Sequence, residues 1–232
     1  APAAVDVAEP PVDRRGDGGG DEIGDDHPGD AFDIVQVLRR GGAQALTWGT
    51  SITLAGAGTL SVDGGSTLSI TNAAGVSGTD VGLTLTGGGG GNGTIVGPIT
   101  LGNGAVTVSG GNWNVAANNF YTGKTFLNGG QLTIPGLGAL GPNPVSATPD
   151  FVTFGGGILV LTNDQTFTGG NRGLTVSSAG TLYLNSTNTV SIVNDLNGGG
   201  SFTKWGTGTL LLGVFQSLGI ALALEGSAGL VL

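Results

Sequence analysis

The chain reads as all-β, and more specifically as a right-handed parallel β-helix (β-solenoid) of roughly eight or nine rungs behind an acidic, irregular leader. Three observations predict it. Forty-nine of the 232 residues are glycine, against a usual share of about 7%. Short segments in which Leu, Val and Ile alternate with Thr and Ser recur along the chain, bounded by Gly, Asn, Asp and Ser. The apolar positions are nearly all medium-sized aliphatics, which suit a thin stack of similar rungs without long Greek-key connections. A β-sandwich stays the alternative. Disorder is excluded because 38% of residues are hydrophobic and only 10% charged. Collagen is excluded by the lack of a glycine at every third position.

Residues 1–40 form the first unit. They hold ten acids and four arginines, a net charge of −6, whereas residues 41–232 hold six acids and three bases. Asp13, Asp17, Asp21 and Asp25 recur every four residues in this leader. The stretch 16–23 resembles one calcium-binding nonapeptide, G-G-x-G-x-D-x-U, with Asp17 where its second glycine belongs. That resemblance implies weak calcium at Asp17, Asp21 and Asp25, since calcium favours carboxylate-rich oxygen cages; a solvated acidic linker is the competing reading. No other cofactor is implied. Arg15-Gly16-Asp17 is a three-residue cell-recognition match of the kind that arises by chance, and His27 beside Pro28 reads as a turn residue. Residues 31–40 are the first strongly apolar segment, a strand or a short helix ended by Gly41. It suits a cap or a docking segment.

Residues 41–232 are the solenoid domain. The half-buried strand signature appears at residues 59–62, 67–70, 83–86, 106–108, 131–134, 174–176, 181–184, 190–192 and 209–212. β-Branched Thr and Val favour strands, and Gly and Asn supply corners. No segment from residue 45 onward has a helical period.

The composition removes whole classes of chemistry. Without cysteine there are no disulfides, thiolate metal sites or cysteine nucleophiles, and one histidine excludes multi-histidine metal sites. A net charge of −9 argues against nucleic acid. The longest apolar run, 209–224, is broken by Gly213, Gln216, Ser217 and Gly219, so membrane insertion is not expected. Asp63, Asp80, Asp150, Asp164, Asp195 and Glu225 are isolated along residues 41–232, where Lys124, Arg172 and Lys204 are the only bases. Enzymes that cleave polysaccharides on such a scaffold need clustered carboxylates with a nearby base. The expectation is no enzyme. The absence of Met and the small-residue start Ala1-Pro2-Ala3-Ala4 fit an exported chain whose signal has been removed.

One segment carries a family likeness. Asn118-Asn119-Phe120-Tyr121-Thr122-Gly123-Lys124-Thr125-Phe126-Leu127-Asn128-Gly129-Gly130-Gln131-Leu132-Thr133-Ile134 resembles the autotransporter-associated β-strand repeat, N-x-Y-T-G-x-T-x-(I/V)-N-x-G-x-L-x-(L/I). Residues 136–141 match its continuation, and residues 202–212 resemble its L-x-K-x-G-x-G-x-L-x-L opening before departing from it at 213–216. The resemblance implies a parallel β-helix in a secreted or cell-surface protein, either a freestanding subunit or a passenger fragment. It says little about activity.

The function expected is a secreted structural subunit that assembles head-to-tail with copies of itself into an extracellular filament or layer. The assembly residues are Phe32, Ile34, Val35 and Val37 at one end and Leu222, Leu224, Leu230 and Leu232 at the other, because long apolar edges without Lys or Pro invite pairing. The alternative is an adhesin or carbohydrate-binding passenger module for surface glycans, with Trp48, Trp113, Tyr121 and Trp205 stacking on sugars. The Thr-x-Thr pairs 84/86, 166/168, 187/189 and 207/209 are spaced too irregularly to read as an ice-binding array.

Overall fold

A computed structural model describes residues 45–167, 171–184, 188–192, 196–213, 221–225 and 229–231. Every strand pairing among them is parallel, and in the first two turns successive strands of the chain lie on different faces. Alternation dictates this: in Thr67–Ile70 the side chains of Leu68 and Ile70 are buried while Thr67 is exposed. Each segment hides one side only, and a coil of parallel rungs gives all those sides one common interior.

The first turn consists of β1 (Ala45–Trp48), β2 (Ile52–Leu54) and β3 (Gly58–Val62). The second repeats it with β4 (Thr67–Ile70), β5 (Val76–Gly78) and β6 (Leu83–Gly87). After β7 (Asn92–Ile95) and β8 (Ile99–Thr100) come two ten-residue strands, β9 (Val106–Val115) and β10 (Thr125–Ile134). Each of these bends through a glycine pair and so serves two faces in succession. The chain then makes its one described helical element, a 3₁₀ turn at Leu137–Leu140. Beyond it lie β11 (Thr148–Phe154), β12 (Ile158–Leu161), β13 (Gln165–Phe167), β14 (Arg172–Val176) and β15 (Ala179–Leu184). The last group is β16 (Thr189–Ile192), β17 (Leu196–Gly198), β18 (Ser201–Trp205), β19 (Thr209–Leu212), β20 (Ala221–Leu224) and β21 (Gly229–Val231).

Three stacks result. The first is nine strands deep, β1-β4-β7-β9-β10-β12-β15-β18-β20. Its eight steps of about 4.8 Å make a stack about 38 Å deep. The second face is split into β2-β5-β8 and β13-β16-β19-β21, with a Gly102–Tyr121 bridge in the gap. The third is seven strands deep, β3-β6-β9-β10-β11-β14-β17. About seven turns result, against the eight or nine rungs expected from sequence; the first face is nine strands deep and the third seven. Turn length varies: register partners are 22 residues apart at Ala45/Thr67, 19 at Asn112/Gln131 and 27 at Gln131/Ile158.

The core is one continuous aliphatic column from Ile52 to Leu212, with the rings of Trp113, Tyr121, Phe151, Phe154, Phe167 and Phe202 inserted. The glycine content has a structural origin here. The corner between the third and first faces is glycine-built in most turns, at 64–65, 87–91, 110–111, 129–130, 155–157 and 198–200. At Gly130, φ is +65°, and a Cβ would run into the carbonyl of Gly111 one turn below. Only glycine fits there.

Candidate binding surface

The family-like motif is consumed by the fold. Asn119 is buried: its Oδ1 accepts from the Ile99 N–H at 2.8 Å on one turn, and its Nδ2 donates to the Ala139 carbonyl on the next. Tyr121 is fully buried and shares a 2.8 Å hydrogen bond with the buried Thr125 hydroxyl. Burial pushes the Tyr121 phenol up to about 12, with the Thr125 bond and the nearby Arg172 charge acting the other way. Gly123 lies against the Gly104 carbonyl. These residues lock rungs together, while Phe120 stands 61% exposed at a corner and Asn118, Thr122 and Asn128 are exposed as well.

The basic residues are occupied as well. Lys124 Nζ donates to Asp150 Oδ2 at 2.6 Å. The buried Arg172 donates to the carbonyls of Leu137 and Gly141, at 3.0 and 2.6 Å, and lies 5.2 Å from the Phe151 ring centroid. Its guanidinium therefore holds the two ends of the 3₁₀ turn, and burial lowers its pKa. Lys204 points inward, its Nζ donating to the Gly206 carbonyl, and burial lowers its pKa too.

The carboxylates stand apart. Asp80, the one described non-glycine residue with positive φ (56°), accepts from the Asn103 N–H at 2.7 Å. Asp164 accepts from the Thr189 N–H at 2.8 Å, and Glu225 is exposed just after β20. Among the described residues no three acidic, His or Cys groups lie together as a metal set. Asp17, Asp21, Asp25 and Asp195 lie outside the described residues.

The aromatic residues named from sequence do not share a face. Trp113 and Tyr121 are core residues, and Trp48 is half-buried against the core. Trp205 alone of the four is exposed, at 46%, and its partner is one that sequence reasoning missed. Tyr183 is its register neighbour on β15, with ring centroids 5.1 Å apart and planes at 70°. The threonine array was missed for a similar reason. Register aligns Thr59, Thr84, Thr107, Thr153 and Thr175 down the third face, interrupted by Phe126. The ladder comes from turn-to-turn stacking, and Thr-x-Thr spacing within one strand does not reveal it.

Of the assembly residues, Leu222 is half-buried against the core and Leu224 is 44% exposed on β20. Leu230 belongs to β21, with its side chain outside the description. Phe32, Ile34, Val35, Val37 and Leu232 lie outside the described residues. No helix among the described residues is long and apolar enough to cross a membrane.

No protein-family model matches the chain, the repeat family suggested by residues 118–134 included. No solved structure matches it either. Over 98 residues the chain is 37% identical to the adhesin BmaC autotransporter of Brucella suis biovar 1 (strain 1330). That stretch is 42% of this chain but 3% of the adhesin's own length. The likeness is thus between this β-solenoid and a small portion of a very long autotransporter adhesin.

Proposed function

We propose that the chain is a β-solenoid segment of a surface-displayed, adhesin-like passenger, with no catalytic step of its own. The observation that carries this reading is the division of labour between the two sides of each strand. Asn119, Arg172 and Lys124 are engaged with neighbouring rungs and Lys204 is turned inward, whereas the outward columns present Thr, Ser and Asn in register along the long faces. A regular polar surface on a stiff scaffold suits display and contact. The likeness to an autotransporter adhesin supports the same reading and a cell-surface location. Displaying the chain on a non-adherent bacterium tests it. Cells carrying it should adhere to host-cell or matrix surfaces above cells displaying an inert domain of equal size; equal adherence by the two would remove the proposal.

A second reading, head-to-tail assembly into a filament, is favoured by β20. Among the described residues it pairs only with β18, and it leaves Leu224 exposed. An uncovered strand edge templates further pairing. Electron microscopy and light scattering should find rods longer than one chain, abolished by Leu222→Lys with Leu224→Lys. A monomer at high concentration ends this second reading and leaves the first intact.

A further inference from the structure

The first face carries a site that its register assembles. Its outward column runs Thr47, Ser69, Thr94, Asn114 and Thr133, all polar, then passes the buried Val160 and reaches Tyr183 and Trp205. Alternation places Phe202 and Lys204 inside and Trp205 outside. The Tyr183 ring meets Trp205 edge to face, which fixes the indole instead of letting it sweep through solvent. The adjoining column supplies hydroxyls from Thr181 and Thr203, which are register partners. One step further, the Glu225 N–H bonds to the Lys204 carbonyl at 2.9 Å and continues the β18/β20 register, setting Glu225 beside Trp205.

We infer that Tyr183, Trp205 and Glu225 bind an uncharged, hydroxyl-rich glycan lying along the rungs of the first face. An exposed indole steadied by a tyrosine offers the flat apolar surface on which the C–H face of a sugar ring stacks. A carboxylate and two threonine hydroxyls offer acceptors and donors to the sugar hydroxyls around it. Charge selects the class. Lys204 is turned inward, Arg172 is buried and Lys124 is paired with Asp150, so none of these cations reaches toward an anionic sugar. Glu225 and the net charge of −9 repel one. The inference names the ligand of the adhesin-like reading and rests on it for biological use, though not for the binding itself.

The test uses the full chain and Trp fluorescence, since Trp113 is buried and Trp48 half-buried, leaving Trp205 the most open to acrylamide. The probes are neutral hexamers of β-linked hexose, α-linked hexose and N-acetylhexosamine, with heparin as the anionic control. At least one neutral hexamer should saturate and shield Trp205 from quenching. Trp205→Ala and Tyr183→Ala should each weaken it about tenfold or more, Glu225→Gln should weaken it less, and heparin should not bind. Circular dichroism checks folding of each variant; should one fail to fold, shielding in the unaltered protein still decides. Failure of all three hexamers to saturate, heparin binding more tightly, or a folded Trp205→Ala binding as well as the parent overturns the site. If no hexamer is bound while displaying cells still adhere, the site fails and the adhesin-like reading survives. If glycan binds but displaying cells do not adhere, the reverse holds.

Discussion

The ring of Trp113 lies directly over Gly93, its register partner one rung below, so that a Cβ at Gly93 would clash with ring atoms Cε3 and Cζ3. The indole N–H meanwhile donates to the Thr86 carbonyl at 3.2 Å. The missing side chain on one turn is thus the space for the largest side chain on the next. Gly93→Ala should cost about 1–3 kcal/mol through overpacking, and Trp113→Ala about 3–5 kcal/mol through the cavity left behind. Made together they should cost clearly less than the sum, because alanine at 93 then has room. Urea denaturation of the four proteins checks this; strict additivity would show that the two residues are not coupled.

Asn119 bridges two turns, and its removal strands a buried donor and a buried acceptor at once. Asn119→Ala should therefore lower stability by about 2 kcal/mol or more. Asn119→Asp should be no better, since a carboxylate would face the Ala139 carbonyl in place of an amide donor. A denaturant midpoint for Asn119→Asp equal to that of the parent would contradict the bridge.

The buried phenol of Tyr121 makes a prediction about alkaline pH. Its folded pKa, raised to about 12 by burial, lies above the ordinary value of about 10. Its contribution is therefore complete below about pH 10 and is lost as pH climbs toward 12, an effect of roughly 2–3 kcal/mol. Thermal midpoints measured across that window should fall more steeply for the parent than for Tyr121→Phe. Parallel curves would refute the assignment.

Lys204 occupies an inward column between Leu182 on the turn before and Leu224 on the turn after. Its ammonium is held by a single carbonyl, and burial lowers its pKa. A lysine whose folded pKa is lowered binds its proton less readily folded than unfolded, so stability rises as pH increases toward the unfolded value of about 10.4. Lys204→Met should be neutral or stabilising by about 1 kcal/mol at pH 7, and its advantage should shrink as pH rises. A strong destabilisation at pH 7 would mean that the Gly206 carbonyl depends on that donor.

The strands were legible because a half-buried strand is a local property. Residues 67–70, 83–86, 181–184 and 209–212 alternate in sequence and become β4, most of β6, the end of β15 and β19. The glycine corners were legible for the same reason. What sits on what was not, since stacking depends on turn length, and turns of 19 and 27 residues occur side by side. This hid the Tyr183–Trp205 pair, the threonine ladder and the bridge at Asn119. It also hid the inward turn of Lys204, which as a lone lysine in a polar-looking strand carries no burial signal in sequence. The short 3₁₀ turn at Leu137–Leu140 escaped because Leu-Gly-Ala-Leu has no helical period, and Arg172, 31 residues beyond Gly141, holds its carbonyls.

Stacked parallel strands place the backbone hydrogen bonds between the described rungs along the axis of the coil. A pull on the two ends of that axis therefore loads the rungs in series, each carrying the full tension, and the outermost one peels before its neighbours are disturbed. A rung of 22 residues, as between Ala45 and Thr67, would release about 75 Å of chain when it lets go. Single-molecule extension should then trace a staircase of such steps in place of one abrupt rupture. The same geometry that makes the molecule stiff at rest makes it yield gradually under load, lengthening while most of its rungs remain closed.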